Sequence, residues 1–210
     1  MDATPSTLRS GTVYTVGHST HPIDEFAELL KAHEVQRIID IRTVPKSRHN
    51  PQFGIDQLPG SLSEHGIGYL RIEALGGLRH TTRESPNKAW RNTSFRGYAD
   101  YMQTDSFAGG MDELTDCARE EKVAIMCAEA VPWRCHRSMV GDALLVRGFE
   151  VLDIFSEKQA KPHTLTSFAK VEGTTITYPA EETAGDSVEE PAGEPVEEPA
   201  GDPAEESGGK

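Results

Sequence analysis

The chain has little cysteine, no long apolar run and no surplus of positive charge, and each shortage removes a class of protein. Only Cys117, Cys127 and Cys135 stand among 210 residues. An odd, unevenly spaced set builds no disulfide framework, and reduced thiols fit the cytoplasm. No stretch approaches the roughly 20 apolar residues that a membrane-spanning helix needs. Met1-Asp2-Ala3-Thr4-Pro5 lacks the basic segment and apolar run of a secretory signal. The expectation is a cytoplasmic protein with no membrane partner. The net charge is −13, but residues 179–210 hold eleven acids against one lysine, so the body before them is nearly balanced. Broad nucleic-acid binding is therefore not expected, although a local basic groove is compatible with the sequence.

What is present is an alternation of short apolar runs and helical periodicities. Residues 13–16 read as a buried strand. Pro22 suits the first turn of a helix, in which Ile23, Phe26, Leu29 and Leu30 follow at helical spacing. Residues 35–41 read as a second strand and 68–72 as a third, with a loop from 43 to 60 and a weak helix over 55–64. Phe95, Tyr98 and Met102 mark one helix, and Phe107, Met111, Leu114 and Ala118 another. A strand at 123–127 leads to a helix over 138–147 that Gly148 closes. A strand at 149–154 follows, and residues 176–178 read as an added edge strand. The pattern predicts a single α/β domain, residues 12–178, with a mostly parallel central sheet flanked by helices. Residues 1–11 read as a flexible N-terminus.

Residues 179–210 do not fit that domain. VEEPAGEP at 188–195 recurs as VEEPAGDP at 196–203. Units of proline, glycine and acid bury too little apolar surface to offset their ordering entropy. A disordered acidic tail is expected, acting as a solvating spacer or as a contact for protein partners.

Chemistry concentrates at residues 127–137, where two cysteines, an acid, a histidine and two arginines lie between a strand and a helix. In open parallel sheets ligands bind beyond the carboxyl ends of the strands, and the other polar clusters also fall there. The first strand ends in Gly17-His18-Ser19. The second ends in Asp40-Ile41-Arg42 and runs into Pro45-Lys46-Ser47-Arg48-His49. The third leads to Leu75-Gly76-Gly77-Leu78-Arg79. Arg42, Lys46, Arg48, Arg79, Arg134 and Arg137 make these loops basic, and guanidinium forks match carboxylate and phosphate. An anionic, phosphate-bearing small molecule or nucleotide is the expected ligand, unless the arginines pair with Asp40, Glu129 or Glu73 instead. Ser19, Asp40, Arg42, Ser47, Arg48, Gly76, Gly77 and Arg137 are the candidate binding residues.

Known cysteine spacings do not settle the chemistry. A cysteine-phosphatase loop needs arginine six positions after its cysteine; Cys127 has Trp133 there and Cys135 has Gly141. Cys135, at a helix start beside His136 and Arg137, has surroundings that favour a thiolate. The candidate catalytic groups are Cys127 and Cys135 as nucleophiles, His136 and His18 as proton-transfer partners, and Glu129 as acid/base or orienting group. Metal binding by Cys127, Cys135 and His136, completed by His18, His21 or His49, is an alternative, although the close pairing of structural zinc cysteines is missing. A noncatalytic binding module using the same pocket is another.

Thr15-Val16-Gly17-His18-Ser19, Asp40-Ile41-Arg42 with Pro45-Lys46-Ser47-Arg48, Leu75-Gly76-Gly77, and Met126-Cys127-Ala128-Glu129 through Cys135-His136-Arg137 together resemble the bacterial and archaeal family of domain of unknown function 488. The resemblance covers roughly residues 12–155. It implies a fold and the location of a site, but neither a reaction nor a cofactor.

Overall fold

The computed structural model describes residues 11–46 and 48–180. The expected N-terminal flexibility over residues 1–10, the candidate Ser47 and the acidic segment 181–210 lie outside the described residues. The chain begins with β1 (Thr12–Gly17), α1 (Ile23–Ala32) and β2 (Arg37–Asp40). A 3-10 turn at Pro51–Phe53 precedes α2 (Leu58–Glu64) and β3 (Gly68–Arg71). Next come α3 (Thr93–Tyr101), α4 (Asp105–Glu120), β4 (Val123–Cys127) and α5 (Arg137–Val146). The remaining strands are β5 (Glu150–Ser156), β6 (Gln159–Pro162), β7 (Lys170–Glu172) and β8 (Thr175–Thr177).

Six of these strands form one sheet in the order β3-β2-β4-β1-β5-β6. The first five run parallel, and β6 returns antiparallel along β5. Both faces are covered, which is why β4 (VAIMC) is buried at every position and apolar throughout instead of alternating. Phe26 and Leu30 of α1 and Leu58 and Leu62 of α2 pack on Val16, Ile38 and Met126. On the opposite face, Tyr98, Met111, Leu114, Val140 and Leu144 from α3, α4 and α5 pack on Val13, Ile39 and Ile125. The two-residue period of the strands thus sorts β1 by face: Val13 and Thr15 look toward α5, Val16 away from it. Among the described residues no helix is long and apolar enough to cross a membrane.

The expected elements over residues 12–156 are present, and Gly148 closes α5 with φ 84°. The C-terminal part differs. Residues 175–177 do not extend the main sheet; they pair with β7 in a separate hairpin. The sheet edge is β6, whose Gln-Ala-Lys-Pro sequence carries no apolar alternation, and whose proline suits only an edge.

β1 and β4 are locked together past their ends. His18 N donates to Cys127 O and Ser19 N to Ala128 O, both at 3.0 Å. The chain beyond β4 then crosses so close to Gly17 that a Cβ there would sit 1.9 Å from Glu129 O. Only glycine fits under that crossing. We expect Gly17→Ala to lose about 2 kcal/mol or more of stability in urea unfolding. Gly109→Ala, in α4 with open space around it, should instead gain about 0.5–1 kcal/mol.

Candidate functional site

The ends of β1 and β2 are joined by a buried ion pair. Asp40 is fully buried. Its Oδ1 accepts from Arg42 N at 3.0 Å and Nε at 2.9 Å, and its Oδ2 from Arg42 Nη2 at 2.6 Å and the Tyr69 hydroxyl at 2.8 Å. Arg42 also donates to Phe53 O at 2.9 Å and, through Nη1, to His18 Nε2 at 3.1 Å. His18 lies flat on Phe53 with ring centroids 4.1 Å apart. Its Nδ1–H donates to Ser19 O at 2.9 Å, so Nε2 is the acceptor for Arg42. Burial above all, with Arg42's charge adding to it, holds the His18 pKa down at about 4 against the opposing hydrogen bond. Arg42 and His18 therefore brace each other. The fork expected to clamp an anion is already taken, and the imidazole expected to move protons has both nitrogens engaged.

The cysteine pair lies where β4 meets α5. Cys135 Sγ is 2.7 Å from Cys127 Sγ, and Cys127 Sγ is 2.7 Å from Arg137 Nη1. The two sulfurs are in close contact but not bonded to each other, their separation exceeding the roughly 2.05 Å of a disulfide. Arg137 is 1% exposed; it also donates to Glu129 O at 3.0 Å and, through Nε, to Thr15 Oγ1 at 3.1 Å. Burial alone would push the Cys127 thiol up. The Cys135 hydrogen bond and the Arg137 charge outweigh it and hold Cys127 below the ordinary cysteine value. Cys135 moves the other way: its bond to Cys127, burial and the charge on that sulfur push its own thiol far up. The pair is therefore unequal: Cys127, opposite the guanidinium, is the more acidic thiol, and Cys135 is the one that holds its proton.

His136 completes this group. Its Nε2 is 3.0 Å from Ile41 O and its Nδ1 3.4 Å from Cys135 Sγ. A carbonyl only accepts, so Nε2 carries the hydrogen and Nδ1 turns its lone pair toward Cys135. Burial, helped by the Arg137 charge, holds this ring neutral with a pKa of about 4. Gly77 allows the ring in: a Cβ there would lie 2.3 Å from His136 Nδ1.

These groups open onto a cleft of about 320 Å3 at the carboxyl edge of the sheet. Of the candidates named from sequence, Arg42, Gly77, Cys127, Glu129, Cys135 and His136 line it. Asp40, His18 and Arg137 lie buried as its supports, and Gly76 packs on Thr43. Ser19 and Arg48 do not line it. Val44, Leu78 and Phe95 give it apolar walls, and the exposed Arg134 supplies a cation with no side-chain partner among the described residues. Other hollows are larger, such as one of about 370 Å3 beside α1, but they hold no thiol. Sequence reasoning gave no role to Thr15, Asp142, Asp153, His163 and Tyr178, which lie behind Arg137; four are buried, and the His163 side chain is 6% exposed. Asp142 and Asp153 show only as single polar residues in an apolar helix or strand, as in VLDIF at 151–155, and His163 and Tyr178 lie just past the ends of short strands. Among the described residues, no group of three or more His, Cys, Asp or Glu side chains is arranged to hold a metal ion.

The fold and site define a parallel α/β domain with a thiol pair at the carboxyl edge of its sheet. Residues 22–144, more than half of the chain, match the family model described as domain of unknown function DUF488, and the chain belongs to that family. No curated protein and no solved structure matches it.

Two measurements follow from the supporting layer. Arg42→Met strands the Asp40 carboxylate in the interior and should cost about 3–5 kcal/mol in urea unfolding. His18 and His136 are neutral in the fold with pKa values of about 4, whereas the unfolded chain binds their protons near pH 6.5. Their contribution is therefore complete above about pH 6.5 and is lost as pH falls toward 4. A urea midpoint series across that window should decline, and less steeply for His18→Gln.

Proposed function

We propose that this protein is a cysteine-dependent enzyme that reduces a small anionic molecule bound in the cleft, using Cys127 and Cys135 as a dithiol. The observation that carries this reading is Cys127 Sγ held between Arg137 Nη1 and Cys135 Sγ, each at 2.7 Å. A lone nucleophile needs no second thiol against it, and a noncatalytic pocket needs no buried guanidinium placed against a sulfur. Arg42 and Arg137 have internal partners, so the case for an anion rests on Arg134 at the rim. The substrate then carries one anionic group, such as a single phosphate or carboxylate, on an apolar or aromatic body that lies against Val44, Leu78 and Phe95. A mononucleotide falls within that description.

In the first step the Cys127 thiolate attacks an electrophilic atom X of a bond X–Y. The S–X bond forms, and Y departs with the bonding pair and takes a proton from solvent. Once Cys127 carries X, its bond and charge no longer raise the Cys135 thiol, and burial alone still does. His136 Nδ1 accepts the Cys135 proton, and Cys135 Sγ attacks Cys127 Sγ. A disulfide forms, and X leaves with the electron pair and the proton from His136. Two thiols are oxidised, and X–Y is reduced to XH and YH. A cellular thiol then reduces the disulfide, which suits the cytoplasm.

An aromatic disulfide bearing carboxylates, dithiobis-nitrobenzoate, is a direct probe. Wild type should release two thionitrobenzoate equivalents rapidly and finish with a Cys127–Cys135 disulfide, identified by peptide mass spectrometry. Cys135→Ser should release one and stay as a mixed disulfide on residue 127. Cys127→Ser should lose the rapid phase. If Cys127 reacts no faster than Cys117, whose thiol burial pushes up, the reading is wrong.

A further inference from the structure

Behind Arg137 the structure continues a line of polar side chains that the reaction above does not use. Thr15 Oγ1 accepts Arg137 Nε–H at 3.1 Å and donates its own hydrogen to Asp153 Oδ1 at 2.5 Å. Thr15 and Asp153 are direct neighbours across the β1–β5 pairing, and both look toward α5. Asp153 Oδ2 is 3.0 Å from His163 Nδ1, and His163 Nε2 is 3.3 Å from Asp142 Oδ1. Asp142 Oδ2 accepts the Tyr178 hydroxyl at 2.9 Å, and its Oδ1 accepts Thr166 N at 3.0 Å. Thr15, Arg137, Asp142 and Asp153 are all buried. Burial works against a charge on His163, but Asp142 and Asp153 outweigh it and push its pKa up to about 9. His163 thus sits as a cation between two carboxyl groups, and Thr15 links the nearer of them to the Arg137 guanidinium.

A hydroxyl has a single hydrogen. Once Asp153 takes it, the oxygen of Thr15 can present only lone pairs to the guanidinium. A rotor that would otherwise be free becomes a fixed acceptor, and it fixes the plane of Arg137 in turn. We propose that Thr15, Asp153 and His163 are positioning residues that act through Arg137, holding its guanidinium against Cys127 Sγ at the floor of the cleft. The inference rests on the reading of Cys127 as the attacking thiolate. Thr15, Asp153 and His163 all fall outside the stretch that matches the family model, so the backing of the thiol comes from segments flanking that match.

The test is the pH dependence of Cys127 alkylation by iodoacetamide in the full chain, read by peptide mass spectrometry with Cys117 as internal reference. Wild type should show a Cys127 midpoint below that of Cys117. Thr15→Val, which keeps the shape and removes the hydroxyl, should raise the Cys127 midpoint by about one unit, a roughly tenfold loss of rate below the midpoint. Thr15→Ser should restore it, and Asp153→Asn should raise it as Thr15→Val does. A Thr15→Val protein with unchanged circular dichroism and an unchanged Cys127 midpoint overturns the proposal. Should Thr15→Val fail to fold, Asp153→Asn, which keeps the side-chain volume, decides by the same criterion. If the wild-type Cys127 midpoint is no lower than that of Cys117, it is the thiolate reading itself that fails.

Discussion

A buried guanidinium is costly unless its charge and its donors are met inside the protein. Arg137 is the largest fully buried side chain of the described residues, and what meets its charge most closely is a cysteine sulfur. That contact requires β4 to end at Cys127, α5 to begin at Arg137, and the loop between them to offer Glu129 and Ala130 carbonyls to the remaining donors. It also requires β1 to stop in glycine so that this loop can cross it. The sheet order brings these parts together: β4 is inserted between β2 and β1, so the ends of those two strands flank its own.

The two arginines of the site illustrate one principle used twice. Arg42 closes on Asp40, only two residues away, and binds the end of β2 to His18 beyond β1. Arg137 closes on a sulfur ten residues away and binds the end of β4 to the middle of β1 through Thr15. Both groups are engaged by internal partners and tie strand ends together. The cleft accordingly combines a rigid, charged floor with apolar walls.

Much of this was legible in the sequence because hydrophobic periodicity is a local property. β1 to β5 and the helices between them bury apolar faces at regular spacing, and the rule that ligands bind beyond strand ends led directly to residues 127–137 and to His18, Arg42 and Gly77. The pairing of side chains was not legible. Nothing in the chain tells whether Arg42 faces a ligand or Asp40, although an aspartate two residues earlier made the internal partner available. Asp153 and His163 escaped notice because each is a lone polar residue whose partners lie far off in sequence. β6 and β7 escaped because strands of three or four mostly polar residues carry no period to detect; β8 reads as a strand, but without β7 its pairing falls to the main sheet.

The loop that separates the two cysteines also holds Trp133, 63% exposed and beside Phe155 at the surface. The second tryptophan, Trp90, packs among Phe95, Phe168 and Tyr178 on α3's side of the molecule. Closing a bond between the sulfurs would tighten the backbone on either side of Trp133 and leave Trp90 untouched. The chain therefore carries its own optical gauge: one indole rides on the segment that the thiols bracket, and the other supplies a steady background against which its emission is read.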